Sequence, residues 1–112
     1  MPYIKTTSNT LIPQDTRELI RDDLGRIAEI IGKSESWLMV DFEDDRPLYF
    51  KGTEEPAAIV SVDLYGSAGA EAYGKFTAAV TKIMGDYLYV PADRVFVKYM
   101  EYDHWGWNGS NF

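Results

Sequence analysis

The 112-residue chain contains no cysteine and only one histidine. The first absence removes disulfides, thiolate nucleophiles and cysteine-ligated metals together. The second leaves His104 unable to build a zinc site by itself, so it reads as a loop histidine in an aromatic neighbourhood. Basic residues are also scarce: 11 Lys and Arg stand against 18 Asp and Glu, a net charge of −7 that argues against nucleic acid or an anionic membrane as a general partner. An anionic ligand would need a local basic pocket. No apolar run approaches the roughly 20 residues of a membrane span, and the N-terminus lacks a signal-peptide core. A cytoplasmic protein is the default expectation.

What is present fits one folded domain over residues 1–112, with 46% hydrophobic and 26% charged residues. Pro2-Tyr3-Ile4-Lys5-Thr6-Thr7 reads as a strand. Leu19, Ile20, Leu24, Ile27 and Ile31 then recur at helical spacing, with Asp15 or Thr16 as the expected cap and Gly32 as the expected left-handed stop. Trp37 to Phe42 reads as a strand, Asp44 to Pro47 as a turn, and Leu48-Tyr49-Phe50 as a short strand. Ala57 to Tyr65 is the clearest strand, with Ala58, Val60, Val62 and Leu64 on one face and Ile59, Ser61, Asp63 and Tyr65 on the other.

A second helix is expected from about Ala68, with Tyr73, Phe76, Val80, Ile83 and Tyr87 on its apolar stripe, and Arg94 to Met100 forms the last long strand. The order gives two βαβ units in a two-layer α/β sandwich, with a four-stranded mixed sheet and two helices on one face. The uncovered face mixes Asp41, Ser61, Asp63 and Lys98 with Trp37, Met39 and Phe96. Other copies of the chain are its simplest cover, so an oligomer is expected. The aromatic, Gly-rich segment from Glu101 to Phe112 should dock, either on its own domain or across a subunit boundary.

Pro2 carries the most chemistry. A small residue at position 2 normally allows Met1 to be trimmed, which would expose a prolyl secondary amine able to act as a base near neutral pH. While Met1 remains, the Pro2 nitrogen is a tertiary amide with neither a proton nor a basic lone pair. Taken alone, Pro2 reads first as a processing signal, and Lys33 as a cation offsetting a helix C-terminus.

Pro2, Gly32-Lys33 after the first helix, Pro56 at a strand start, Pro91-Ala92-Asp93-Arg94-Val95 before the last strand, and Gly106-Trp107-Asn108-Gly109-Ser110 near the end appear in a telling order. Together they resemble the macrophage migration inhibitory factor family across the whole chain, with a slightly shorter segment after Tyr99. The resemblance implies a homotrimer whose sheets line a central channel and whose sites lie between subunits. It implies cofactor-independent keto-enol tautomerisation of arylpyruvates such as phenylpyruvate, with dopachrome-type isomerisation as a further activity. Pro2 takes the place of the catalytic base and Lys33 that of the substrate anchor. Leu64, Tyr65, Phe96, Lys98 and Trp107 fall on substrate-binding positions, and the implied partner is a small aromatic keto acid. Some animal members are exported without a signal peptide and act as signals.

The chain departs from the pattern at two of these positions. Phe96 stands where a tyrosine is common, removing a hydrogen-bond donor. Lys98 stands where an asparagine is common, adding a cation expected to lower the amine's pKa and favour substrates with an extra carboxylate. Ala57-Ala58-Ile59-Val60 replaces a Cys-x-x-Cys segment, so thiol-disulfide chemistry has no basis. Asp63 and Glu101 read as solvated or paired carboxylates, and no water-activating set maps for dehalogenase or decarboxylase chemistry. The alternative is a binding protein, acting on a host receptor or retaining the fold without catalysis.

Overall fold

Alternation governs β1 (Pro2–Ser8): Pro2, Ile4, Thr6 and Ser8 are buried, while the residues between them are half-buried. The computed structural model describes residues 1–112 and shows the same period in β3 (Ala58–Tyr65), whose Ala58, Val60, Val62 and Leu64 face the core. Between β1 and β3 come α1 (Gln14–Ile27) and β2 (Met39–Glu43), and after them α2 (Ala70–Leu88) and β4 (Val95–Tyr102). The sheet runs β2-β1-β3-β4, with β1 parallel to β2, β3 parallel to β4, and β1 antiparallel to β3 at the centre. Each parallel pair with its crossover helix is one βαβ unit, so the expected mixed four-stranded sandwich is the observed fold.

The core lies between the sheet and the two helices. Ile20 and Leu24 of α1, Phe76, Val80 and Met84 of α2, and Ile4, Val60 and Val62 of the sheet form one buried cluster. The expected apolar helix positions are therefore the ones that pack, and burial of such side chains is worth about 1.5–3 kcal/mol each.

Several boundaries differ from the sequence reading. Neither Asp15 nor Thr16 caps α1; the helix starts one residue earlier at Gln14, behind Pro13, which makes no side-chain cap bond. Its last turn tightens into a 3₁₀ segment, Ala28–Ile31, and Gly32 ends it at φ 72°, as expected. Trp37 belongs to a 3₁₀ turn rather than to β2. The expected strand at Leu48-Tyr49-Phe50 is absent. Lys51 and Gly52 both have positive φ, which reverses the chain so that Phe50 pairs with Thr53 in a single bridge. Arg94 fixes this loop by donating to the carbonyls of Phe50, Thr53, Glu55 and Pro56 at 2.9–3.2 Å. Helix α2 begins at Ala70 rather than Ala68, following Gly69 at φ 89°.

The tail forms a hairpin, β5 (Gly106–Trp107) and β6 (Ser110–Asn111). Its two-residue turn has positive φ at Asn108 and Gly109, the conformation favoured by Asn-Gly. It docks on its own chain. Trp107 meets Trp37 edge-on at 4.7 Å, and Phe112 lies 5.6 Å from the ring of Tyr65.

Candidate active site

Pro2 opens β1 at the top of the sheet and is paired in register with Leu64. One residue further on, the Tyr65 peptide connects two chemical groups: its N–H donates to the Met1 carbonyl at 3.2 Å, and its carbonyl accepts from Lys33 Nζ at 2.8 Å. The turn after α1 makes the second contact. Gly32 in its left-handed conformation accepts the chain reversal, and the Lys33 N–H returns to the Ala28 carbonyl at 3.1 Å. Lys33 is thereby held close to the start of the chain. Burial first, and the Lys33 charge second, push the Met1 terminal amine below its ordinary value of 8.0.

A cavity of about 660 Å³ opens beside Pro2 and is walled by Tyr3, Trp37, Asp63, His104 and Trp107 among others. Its volume lies within the usual range for small-molecule sites. The walls are mainly aromatic, suited to a planar ring. Polar groups interrupt them on the sheet side, where the Tyr3 hydroxyl donates to Asp41 at 2.5 Å and the Tyr102 hydroxyl to Asp63 at 3.4 Å. The hydrogen bond to Asp41, more than burial, pushes the Tyr3 phenol up to about 12.

The expected site residues do not all meet within one chain. Pro2 and Trp107 line the cavity. Lys33 sits behind it on the Tyr65 carbonyl. Tyr65 supports the tail through Phe112, while the side chain of Leu64 is fully buried and Leu64 does not line the cavity. Phe96 pairs with Ile59, five residues along β3 from the Pro2 partner Leu64 and roughly 16 Å away by strand rise. It packs against Phe50 at 4.9 Å, at the opposite end of the sheet. Lys98 lines an adjoining groove of about 350 Å³, which shares Tyr3, Asp63 and Tyr102 with the Pro2 cavity.

Sequence reasoning underrated four wall residues: Trp37, Asp63, His104 and Trp105. For Asp63 a signal was available, because strand alternation puts it on the Tyr65 face, next to the residue that pairs with Pro2. No local pattern could announce His104, which reaches the wall through the path of the tail.

A mixed sheet order β2-β1-β3-β4 with two crossover helices on one face, opened by a proline beside a lysine, defines an α/β sandwich of the tautomerase superfamily. The macrophage migration inhibitory factor (MIF) family matches residues 1–112. Among solved structures, MIF2 of Leishmania major superposes with a TM-score of 0.95 at 30% identity, covering 100% of this chain and 97% of that one. The homologue from Prochlorococcus marinus gives 0.88 at 27% identity, covering 98% of each. Among sequences, the macrophage migration inhibitory factor homolog of Brugia malayi is 25% identical, over 100% of this chain and 99% of its own. The chain belongs to the macrophage migration inhibitory factor family. At the coarse level, that membership assigns it MIF-like function on an isomerase-type scaffold.

Proposed function

We propose that the protein is a cofactor-independent keto-enol tautomerase of arylpyruvates, with the Pro2 amine, freed by loss of Met1, as general base. The observation that carries this reading is the Tyr65 peptide joining Lys33 to the start of the chain beside an aromatic cavity. For phenylpyruvate the prolyl nitrogen takes a proton from the carbon next to the ketone. The C–H pair becomes the new C=C bond, and the carbonyl π pair moves to oxygen as an enolate. The prolinium then returns the proton to that oxygen, giving the enol with no net change of atoms.

Lys33 supplies the positive charge for the carboxylate or enolate. Once Met1 is gone, the Tyr65 N–H has no carbonyl to satisfy and becomes a second donor at the same place. A Pro2 amine at the same end of the chain would meet the two pressures that lower the Met1 amine, burial and the Lys33 charge.

The test is phenylpyruvate turnover by protein whose intact mass shows that Met1 is absent. Turnover should be lost in Pro2→Ala and in protein that retains Met1. Undiminished turnover in Pro2→Ala would overturn the assignment of the base. Phe96 and Lys98, standing where Tyr and Asn are common, favour a second reading, a cytokine-like protein binding a host receptor. That reading predicts binding unaffected by Pro2→Ala.

A further inference from the structure

Asp63 is the only carboxylate on the wall of the Pro2 cavity, which His104 also lines. The register sets Asp63 beside Tyr3 on β1 and Met100 on β4. Its neighbours do not saturate it. Tyr102 donates one long bond of 3.4 Å, the Tyr3 hydroxyl is committed to Asp41, and no Lys or Arg forms an ion pair with Asp63. A carboxylate has about four lone-pair positions, so acceptor capacity remains on the cavity side.

Burial before all else raises the Tyr102 phenol, and Tyr3 is raised as well, so both stay neutral hydroxyls beside it. Along β3, Asp63 and Tyr65 are two residues apart on one face, roughly 6.6 Å by strand rise. Lys33 is held at the Tyr65 carbonyl. In the tautomerase reading, a keto acid held by Lys33 beside Pro2 would lay its ring in the cavity that Asp63 walls.

We propose that Asp63 is a specificity-determining residue, accepting a hydrogen bond from a donor on the far end of the substrate's ring and repelling a carboxylate placed there. The inference rests on the tautomerase reading, which supplies the direction in which the substrate lies. Asp63 lines both this cavity and the adjoining groove, whereas Lys98 lines the groove alone, so the carboxylate and not the cation borders the Pro2 cavity.

Three keto acids differing only at the far ring position test this: phenylpyruvate, 4-hydroxyphenylpyruvate and 4-carboxyphenylpyruvate. Each is measured for kcat/KM and, by calorimetry, for equilibrium binding, using trimmed wild type, Asp63→Ala and Asp63→Asn. Wild type should favour the hydroxyl compound over the unsubstituted one by about tenfold and take the carboxylate least. Asp63→Ala should erase the hydroxyl preference, bringing the ratio of kcat/KM for the hydroxyl compound to that for phenylpyruvate down to about one. Asp63→Asn, which keeps an acceptor oxygen but not the charge, should retain part of that preference and relieve the penalty on the carboxylate. An identical ranking of the three acids in all three proteins overturns the proposal. Pro2→Ala should abolish turnover of all three without altering their order of binding, so failure of the base assignment and failure of the Asp63 assignment give different results.

Discussion

Thr6 is the residue at which the core departs from its own rule. It is fully buried on the helix-facing side of β1, and its hydroxyl has no hydrogen-bond partner. A buried hydroxyl without a partner forfeits its hydration and gains nothing in return, at a cost of about 1–3 kcal/mol. Valine has the same branched shape and no such group. Thr6→Val should therefore raise stability by about 1 kcal/mol, read as a higher urea midpoint at unchanged slope. A lower midpoint would mean that the hydroxyl is satisfied after all. The sequence made Thr6 legible as a strand residue but not as an unsatisfied one, since satisfaction depends on what α1 and α2 bring against it. Asp63 is the matching case at the surface: strand alternation marks the face it is on, but the cavity it walls is closed by residues of the tail.

Between elements, Asp44 couples the end of β2 to the entrance of α1. One of its oxygens accepts the Ile12 N–H at 2.7 Å and the other Arg17 at 3.0 Å, while the Arg17 Nε donates to the Ile12 carbonyl at 2.8 Å. The Ile12 amide foremost, with help from Arg17, holds the Asp44 carboxyl below its ordinary range. A folded-state pKa below the unfolded one contributes stability at pH above the unfolded value, and that contribution is lost as pH falls through the folded value. Asp44→Asn should thus lower the urea midpoint at pH 7, with the gap from wild type closing as the pH drops below about 4. A gap constant with pH would show that the carboxylate charge is irrelevant to the link.

This contact also marks where sequence reading stopped at the element scale. Periodicity made β1, β3 and the buried faces of both helices legible, and Gly32 marked a true stop. The loop from Leu48 to Thr53 was misread because its apolar residues look like a strand, whereas the positive φ at Lys51 and Gly52 and the four carbonyls gathered by Arg94 decide its path.

At the scale of the whole molecule, the sheet face away from the helices is left uncovered by its own chain. Met39 is 65% exposed, Phe96 57% and Met100 56%, more apolar surface than a lone domain normally presents on one face. Further copies of the chain would cover it, and a homotrimer would also explain the separation within the site. Phe96 lies on β4 opposite Ile59, far along the sheet from its own Pro2, so it can meet a Pro2 cavity only in a neighbouring chain. Sedimentation should accordingly give three times the 12.7 kDa of one chain. A stronger test mixes two variants, Pro2→Ala and an assembly-competent Phe96→Glu, each expected to be inactive alone. After joint unfolding and refolding, some sites combine an intact Pro2 from one chain with an intact Phe96 from the next, restoring about a quarter of the wild-type rate for random mixing. Recovery requires a shared site, because no single chain in the mixture carries both residues. If the mixture stays inactive while hybrid trimers are demonstrably present, each site is complete within one chain, and Phe96 acts only through the packing it makes with Phe50.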